Sequence, residues 1–528
     1  MNLLVNISTT VLGAAALVDL WFVFARDLMM LQQNSYRNDR YVRWFNQSGE
    51  STSLGRIFCC IALFIMLATL TPALFSMWFA TVIVAWQAVT LMRRRYKKPL
   101  VWTPRVKRLC GVSWLLASVV VAVAAVIWGV VAAFVALLAV LVLSPLFMLA
   151  ANVVLRPVEK AINQKYYDDA SRILGSMPEL KIVGITGSYG KTSTKHYLHR
   201  ILEEHFATTM TPGSFNTPMG VIRTIREHLR PYDEVFICEM GAKQVGDIKE
   251  ICDLVHPTVG IVTAVGEQHL ESFKSIENVQ RTKFELVDSL PADGLAVVNN
   301  DFEKIADRAV DNVECVRYAV AATDGAGYVA SDIEYSPDGT SFAITEVATG
   351  NRLDLHTRLV GECNISNLMA AVIVAKRLGV PDDKIRYAVG QIDQVEHRLS
   401  VKRVPGGMTI IDDAFNSNPE GSRMALEVLG RMTGGKRIVV TPGMIELGDR
   451  QFAANEALGR HAASNADVAI VVGKYNREAL LAGLAAGPIA ADSIYAVDTF
   501  TQAQEVLRTI GRSGDIVLYE NDLPDTFK

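Results

Sequence analysis

Paired metal-type cysteines are missing from this sequence: no C-x-x-C pair occurs among Cys59, Cys60, Cys110, Cys238, Cys252, Cys315 and Cys363. That excludes a zinc module and implies no disulfide framework. Scattered thiols read as packing side chains in a reducing compartment. A large charge of one sign is lacking too. The net charge is only −3 over 528 residues, so no overall field draws nucleic acid, and none is expected as a partner. There is no internal repeat and no low-complexity tract. No basic residue precedes the first apolar run, Leu3–Ala25, which argues against a cleaved signal peptide. Finally, no acid lies between Met92 and Leu109, although Arg93, Arg94, Arg95, Lys97, Lys98, Arg105, Lys107 and Arg108 all do.

Apolar residues are present in excess. They make up 50% of the chain, and the excess sits before about residue 155, so the two parts of the chain face different solvents. A hydrocarbon core needs about 20 apolar residues per helix. Leu3–Ala25 supplies one span with Asp19 as its only charge, which is either functional within the span or near enough to its cytoplasmic end to reach water. Ile57–Met92 is long enough for two short spans turning at Thr71-Pro72. Gly111–Leu155 fits two more, turning near Trp128-Gly129. The reading is a membrane domain of about five helices, or four if one run is a single tilted helix with a re-entrant piece. Basic loops stay cytoplasmic. The acid-free loop, and the Arg26–Arg56 loop with Arg37, Arg40 and Arg43, therefore place everything after Arg156 inside. The same basic loop also suits contact with anionic lipid.

From Lys181 the pattern changes. Lys181–Thr186, Glu234–Cys238, Val259–Ala264 and Gly294–Asn299 read as strands with helical patterns between most of them, the signature of a parallel sheet covered on both faces. Turn signals at Asp324-Gly325 and Pro337-Asp338-Gly339 predict a small antiparallel insert over about 313–360. A second α/β series follows at Met408–Ile411, Arg437–Thr441, Val468–Val472, Ile494–Val497 and Ile516–Tyr519, with a boundary near Arg398.

Gly184-Ile185-Thr186-Gly187-Ser188-Tyr189-Gly190-Lys191-Thr192 follows a strand and opens a helix. Glycines there let backbone N–H groups approach phosphate oxygens, and the helix N-terminus adds positive potential. Lys191 would bridge the β- and γ-phosphates of ATP, and Thr192 would ligate Mg²⁺. Ile185 stands where the general phosphate-loop pattern has its first glycine.

This loop resembles that of the Mur ligases. Other segments agree in order over roughly 340 residues: Thr211–Gly220, Cys238–Ala242, Val265–Glu271, Arg281–Glu285, Gly361–Asn367, His397-Arg398, Asp412–Pro419 and Gly443–Gly448. E-M-G-A, D-D-x-x-N-x-N-P and G-M-x-E-L-G resemble the D-alanyl-D-alanine-adding branch. The resemblance implies an α/β protein with a P-loop central domain (181–397) and a C-terminal Rossmann-like domain (398–528). Before them would come an all-α transmembrane domain (1–155) and a linker (156–180).

It implies an ATP-dependent peptide ligase of bacterial peptidoglycan synthesis and cell wall biogenesis, working through an acyl phosphate with two Mg²⁺ ions. It would sit as a multi-pass protein of the inner membrane with its catalytic domains cytoplasmic. Gly187, Ser188, Tyr189, Gly190, Lys191, Thr192 and Ser193 would hold the phosphates, Asn364 and Asn367 would lie near adenine, and Asp413 would hold the ribose. Lys191, His269, Lys283 and Arg398 would be catalytic, with Arg398 reaching the phosphates from a hinge. Thr192, Glu239, His269 and Lys283, the last if carbamylated, would hold metal; an unmodified Lys283 is the alternative. Cys363 stands where the family often has histidine. Asn216, Asn416 and Glu446 would face substrate, with turn and capping roles competing for the last two.

The family's UDP-binding first domain has no counterpart in the roughly 25 residues Arg156–Leu180. Two acceptors therefore fit, a UDP-linked muramoyl-peptide or a lipid-linked carboxylate, with a dipeptide as the amine. The ending Tyr519–Asp525 departs from the branch's lysine-glycine-serine. A third reading, an inactive ATP-binding scaffold recruiting other cell-wall enzymes, conflicts with the intact set Lys191, Thr192, Glu239, His269 and Lys283.

Overall fold

A computed structural model describes residues 2–69, 74–96, 98–268, 270–336, 339–395, 397–414 and 417–523. The chain divides into two compact units, 1–164 and 165–522. The first is helical: α1 (Asn2–Gln33), α2 (Asn38–Gln47), α3 (Leu54–Thr69), α4 (Leu74–Arg93), α5 (Pro104–Trp128), α6 (Val130–Val142) and the start of α7 (Ser144–Gly175). Leu12, Ala16, Leu20, Val23 and Phe24 bury one face of α1, while Val18 and Trp21 on the same helix stay exposed. Phe64, Phe75 and Val126 are also exposed, the last at 86%. Helices apolar all round are either buried in protein or span a membrane.

Among the described residues, three helices are long and apolar enough to cross a membrane, Ile7–Gln33, Phe75–Arg93 and Pro104–Trp128. A fourth is possible if Val130–Val142 and Ser144–Gly175, bent by 78°, form one broken span; Leu54–Ala68 is apolar but shorter. The expected turn at Thr71-Pro72 lies outside the described residues. At the other, Gly129 with φ 87° separates α5 from α6, a conformation that favours glycine.

One sequence expectation changes here. Asp19 does not reach outward: it is fully buried, and its carboxylate oxygens meet no hydrogen-bond partner among the described residues. Residues 156–175, most of the stretch read as a linker, form the second half of α7, which continues through Pro157. Proline removes a single backbone donor, and the good helix formers that follow it (Glu159, Lys160, Ala161, Gln164) sustain the helix. Glu159 is also fixed by Arg108 at 2.7 Å.

The second unit holds two sheets. The first contains β1 (Lys181–Thr186), β2 (Thr208–Met210), β3 (Val235–Glu239), β4 (Val259–Val262), β5 (Leu295–Asn299), β6 (Glu314–Ala319), β7 (Tyr328–Ser336), β8 (Gly339–Glu346) and β9 (Arg352–Thr357). Their order is β2-β3-β1-β4-β5-β6-β7-β8-β9, parallel as far as β7 and antiparallel after it. The expected antiparallel insert is thus the edge of the main sheet.

Side chains of β1 alternate between two cores. Val183 and Ile185 join Leu198 and Ile201 of helix α8 (Lys191–Leu202). Ile182 joins Ile222 and Phe236. The second sheet, β10 (Ser400–Arg403), β11 (Thr409–Asp413), β12 (Arg437–Thr441), β13 (Val468–Val472), β14 (Ile494–Val497) and β15 (Ile516–Glu520), has the order β10-β11-β15-β12-β13-β14. Only β10 pairs antiparallel.

Candidate active site

In open parallel sheets the C-terminal strand ends form the ligand crevice. β1 is central to the first sheet, and its C-terminal end leads into the glycine loop and α8. Ile185 is fully buried in β1, paired with Glu239 and Ile261. The strand therefore consumes the position where a general phosphate loop would turn, and the turn begins at Gly187.

A Cβ at Gly187 would fall 2.0 Å from the Thr263 hydroxyl, and one at Gly190 (φ 82°) would fall 2.4 Å from Asn367 Oδ1. The loop therefore lies too close to its neighbours for side chains at either position. Ser188 clamps it to the end of β4: its N–H donates to the Ala264 carbonyl at 2.8 Å. Its hydroxyl donates to the Gly266 carbonyl and accepts from the Gly266 N–H, each at 3.0 Å. The Tyr189 ring packs edge-on against Phe302.

The Lys191 ammonium donates to the carbonyls of Gly187 at 2.5 Å and Ser188 at 3.2 Å. Burial pushes it down to about 8; Glu239 opposes that shift and Arg398 adds to it. Glu239 ends β3 and is 1% exposed. Its Oε1 accepts from the Thr192 hydroxyl at 3.2 Å and the Asn216 amide at 2.9 Å, and its backbone N–H donates to Thr211 Oγ1. Burial alone would raise the Glu239 carboxyl. The ammonium groups of Lys195 and Lys191 outweigh it and hold the carboxyl below the usual range. A hydroxyl and a carboxylate behind a phosphate loop are hard oxygen donors, the set Mg²⁺ takes alongside nucleotide phosphates. Among the described residues no three His, Cys, Asp or Glu side chains gather into a metal cluster.

Lys283, on helix Ile276–Asp288, is buried with its Nζ 5.9 Å from the Phe273 ring centre. Burial pushes its ammonium well below the usual lysine range, and Lys191 adds to this. Asn364 accepts from the Tyr197 hydroxyl at 2.8 Å, and Asn367 Oδ1 accepts from Thr194 at 3.2 Å. Ser193 is buried in the first turn of α8. Arg398 acts electrostatically on both Lys191 and Glu239, so the second sheet's leading segment reaches the phosphate loop. Asp413 Oδ1 accepts from the Leu399 N–H at 3.0 Å. Burial pushes its carboxyl up to about 6 despite Arg398. Cys363 lies within electrostatic range of Asp413, its thiol pushed up to about 12 by burial.

Glu446 has φ 63°, and its carbonyl accepts from the Glu271 N–H at 3.2 Å. His269 and Asn416 lie outside the described residues.

Sequence reading missed Lys195. Its Nζ lies 2.9 Å from Glu239 Oε2, with the two side chains 0% and 1% exposed, and it donates to the Gly213 carbonyl at 2.6 Å. The signal was its spacing: Lys195 is three residues after Thr192 and so shares its helix face.

A Mur ligase middle-domain model matches residues 185–375, and a Mur ligase, glutamate ligase domain model matches 397–519. The chain is similar to the UDP-N-acetylmuramoyl-tripeptide--D-alanyl-D-alanine ligase of Mycobacterium leprae, 30% identical over 371 residues, covering 64% of this chain and 70% of the relative. The Escherichia coli enzyme of the same name is 29% identical over 61% of this chain and 73% of its own. Among solved structures, MurF from Acinetobacter baumannii aligns with a TM-score of 0.61 at 26% identity, covering 68% of this chain and 77% of that one. MurF ligase from Thermotoga maritima in complex with ADP aligns at 0.60 and 25%, covering 68% and 80%.

Proposed function

The chain belongs to the Mur ligase family, and from that premise we propose that it joins the amine of D-alanyl-D-alanine to the terminal carboxylate of a muramoyl-peptide. It is an ATP-dependent ligase forming ADP and phosphate. The observation that carries the reading is the Glu239 carboxylate meeting Thr192 and Asn216 directly behind the Lys191 loop.

The acceptor carboxylate attacks the γ-phosphorus of ATP, ADP leaves, and an acyl phosphate forms. The amine then attacks the acyl carbon, the C–O bond to phosphate breaks, and the amine's surplus protons pass to solvent. Lys191 turns from the loop carbonyls to the transferring phosphoryl group and offsets its charge. Gly187, Ser188, Tyr189, Gly190 and Ser193 cradle the phosphates. Thr192 and Glu239 would hold Mg²⁺, which when bound offsets phosphate charge. A second ion would fall to His269 and a carbamylated Lys283.

Asn364 and Asn367 lie on the adenine side, and Asp413 holds the ribose. Arg398 approaches the phosphates from the second sheet, so that closure excludes water from the acyl phosphate. Asn216, Asn416 and Glu446 are assigned to the substrates. The apolar helices of the first unit are read as spans of the bacterial inner membrane, with the ligase part cytoplasmic. That placement keeps a lipid-linked acceptor as the second reading.

The test is phosphate release by the full-length protein in detergent with ATP, Mg²⁺, UDP-muramoyl-tripeptide and D-alanyl-D-alanine. Release is expected with this pair and should be abolished by Lys191→Ala. Release only with a lipid-linked acceptor would replace the UDP-linked substrate, and full activity in Lys191→Ala would remove the site.

A further inference from the structure

One buried ion pair in the active site has no part in the scheme above. Lys195 is fully enclosed, its ammonium 2.9 Å from Glu239 Oε2. The same ammonium donates to the Gly213 carbonyl at 2.6 Å, so it joins three elements: helix α8, the end of β3 and the loop 211–217. That loop also carries Thr211, which accepts from the Glu239 N–H at 3.1 Å, and Asn216, which donates to Glu239 Oε1 at 2.9 Å.

The two carboxylate oxygens of Glu239 are therefore divided. Oε2 faces Lys195, whereas Oε1 faces Thr192 and Asn216 on the phosphate-loop side. A buried ion pair is a poor device for stability, because desolvating two charges offsets most of their attraction. It does fix orientation. A carboxylate with one oxygen committed cannot rotate about its terminal bond without breaking that pair.

We propose that Lys195 is a positioning residue, which holds Glu239 Oε2 and the Gly213 loop so that Oε1 is presented beside Thr192 for Mg²⁺. The inference rests on the reading of Glu239 as a metal ligand. Lys195 touches neither nucleotide nor substrate and acts only through Glu239.

The prediction concerns the part of nucleotide affinity that depends on Mg²⁺. Full-length protein in detergent is titrated with ADP by calorimetry, with and without MgCl₂, for the wild type, Glu239→Gln, Lys195→Met and Lys195→Arg. The wild type should bind ADP more tightly with Mg²⁺, and Glu239→Gln should lose that gain. Lys195→Met should lose at least about tenfold of Mg²⁺-dependent affinity, the usual cost of removing a partner that orients a metal ligand. Its affinity for metal-free ADP should be unchanged, and its turnover should recover as Mg²⁺ is raised.

Lys195→Arg keeps the charge but not the ammonium's geometry, and should show a smaller loss of the same kind. If Lys195→Met does not fold, Lys195→Arg decides the matter alone. A lower Tm with an intact Mg²⁺ gain in the folded Lys195 variants would make the pair merely structural and overturn the inference. No Mg²⁺ gain in the wild type would remove the reading of Glu239, and the inference with it. An intact gain in Glu239→Gln would do the same.

Discussion

Glu520 closes β15 opposite Asp413 of β11. It is fully buried, and its Oε1 accepts from the hydroxyls of Ser417 and Ser422. Burial, with the Asp413 charge beside it, pushes its carboxyl from the model-compound value of 4.5 up to about 8. Below 4.5 folded and unfolded chains both carry the proton. Between there and about 8 the folded chain holds a proton that the unfolded chain has lost, so stability falls as pH rises; above that the penalty is constant. Glu520→Gln keeps the acceptor for both serines and removes the titration. Its Tm should rise relative to the wild type, and the gap should open between those two pH values. Scanning fluorimetry across pH on the full-length protein measures it, and a pH-independent gap would refute it. Neither Glu520 nor Lys195 is legible in the sequence. Each depends on a partner distant in sequence, and one-dimensional spacing does not report which carboxylate a buried ammonium will meet.

Among elements, the phosphate loop was the most legible, because its function requires glycine at fixed places after a strand. Gly190 combines φ 82° with a Cβ position 2.4 Å from Asn367 Oδ1. Gly379 has the comparable φ of 96° with nothing within 4 Å. Gly190→Ala should carry the left-handed backbone cost of about 1 kcal/mol and also displace Asn367 from the site. Gly379→Ala should carry only the first. ADP affinity, measured by calorimetry, should fall at least about tenfold, or about 1.4 kcal/mol, in Gly190→Ala and stay level in Gly379→Ala. Equal affinities would show that the loop tolerates the crowding.

The strands were legible from short apolar runs. The β7–β9 meander was legible as antiparallel, but its pairing was not. Only the parallel β6–β7 contact, Tyr318 with Tyr328 and Ala319 with Val329, makes it the edge of the main sheet rather than a separate insert. The run of α7 past Leu155 was not legible from hydropathy, because its second half is polar and continues the helix through Pro157.

At the scale of the whole molecule, the two units differ in the surfaces they present. The first exposes Phe64, Phe75, Val126 and Trp128. The second covers both faces of its main sheet with apolar cores. If the basic loop 93–108 is cytoplasmic, protease added to intact cells should leave 165–522 uncut, and permeabilisation should expose it. Immunoblotting against a C-terminal tag checks this; digestion in intact cells would reverse the orientation.

The sequence by itself determined the class of chemistry, because hydropathy and glycine placement act locally. A run such as Leu3–Ala25 is apolar whatever surrounds it, and Gly187 and Gly190 permit a close backbone approach wherever the loop lies. Only the tertiary structure decided which groups meet. Strand order put β3 beside β1 and so brought Glu239 to Thr192 and Lys195. The turn between the sheets carried Arg398 within range of Lys191. Packing also enclosed Asp19, a burial that its place in the apolar run does not report. The physical reason is the same in each case. Coulomb and hydrogen-bond energies depend on distances of a few ångströms and on the exclusion of water, and both are properties of the folded chain.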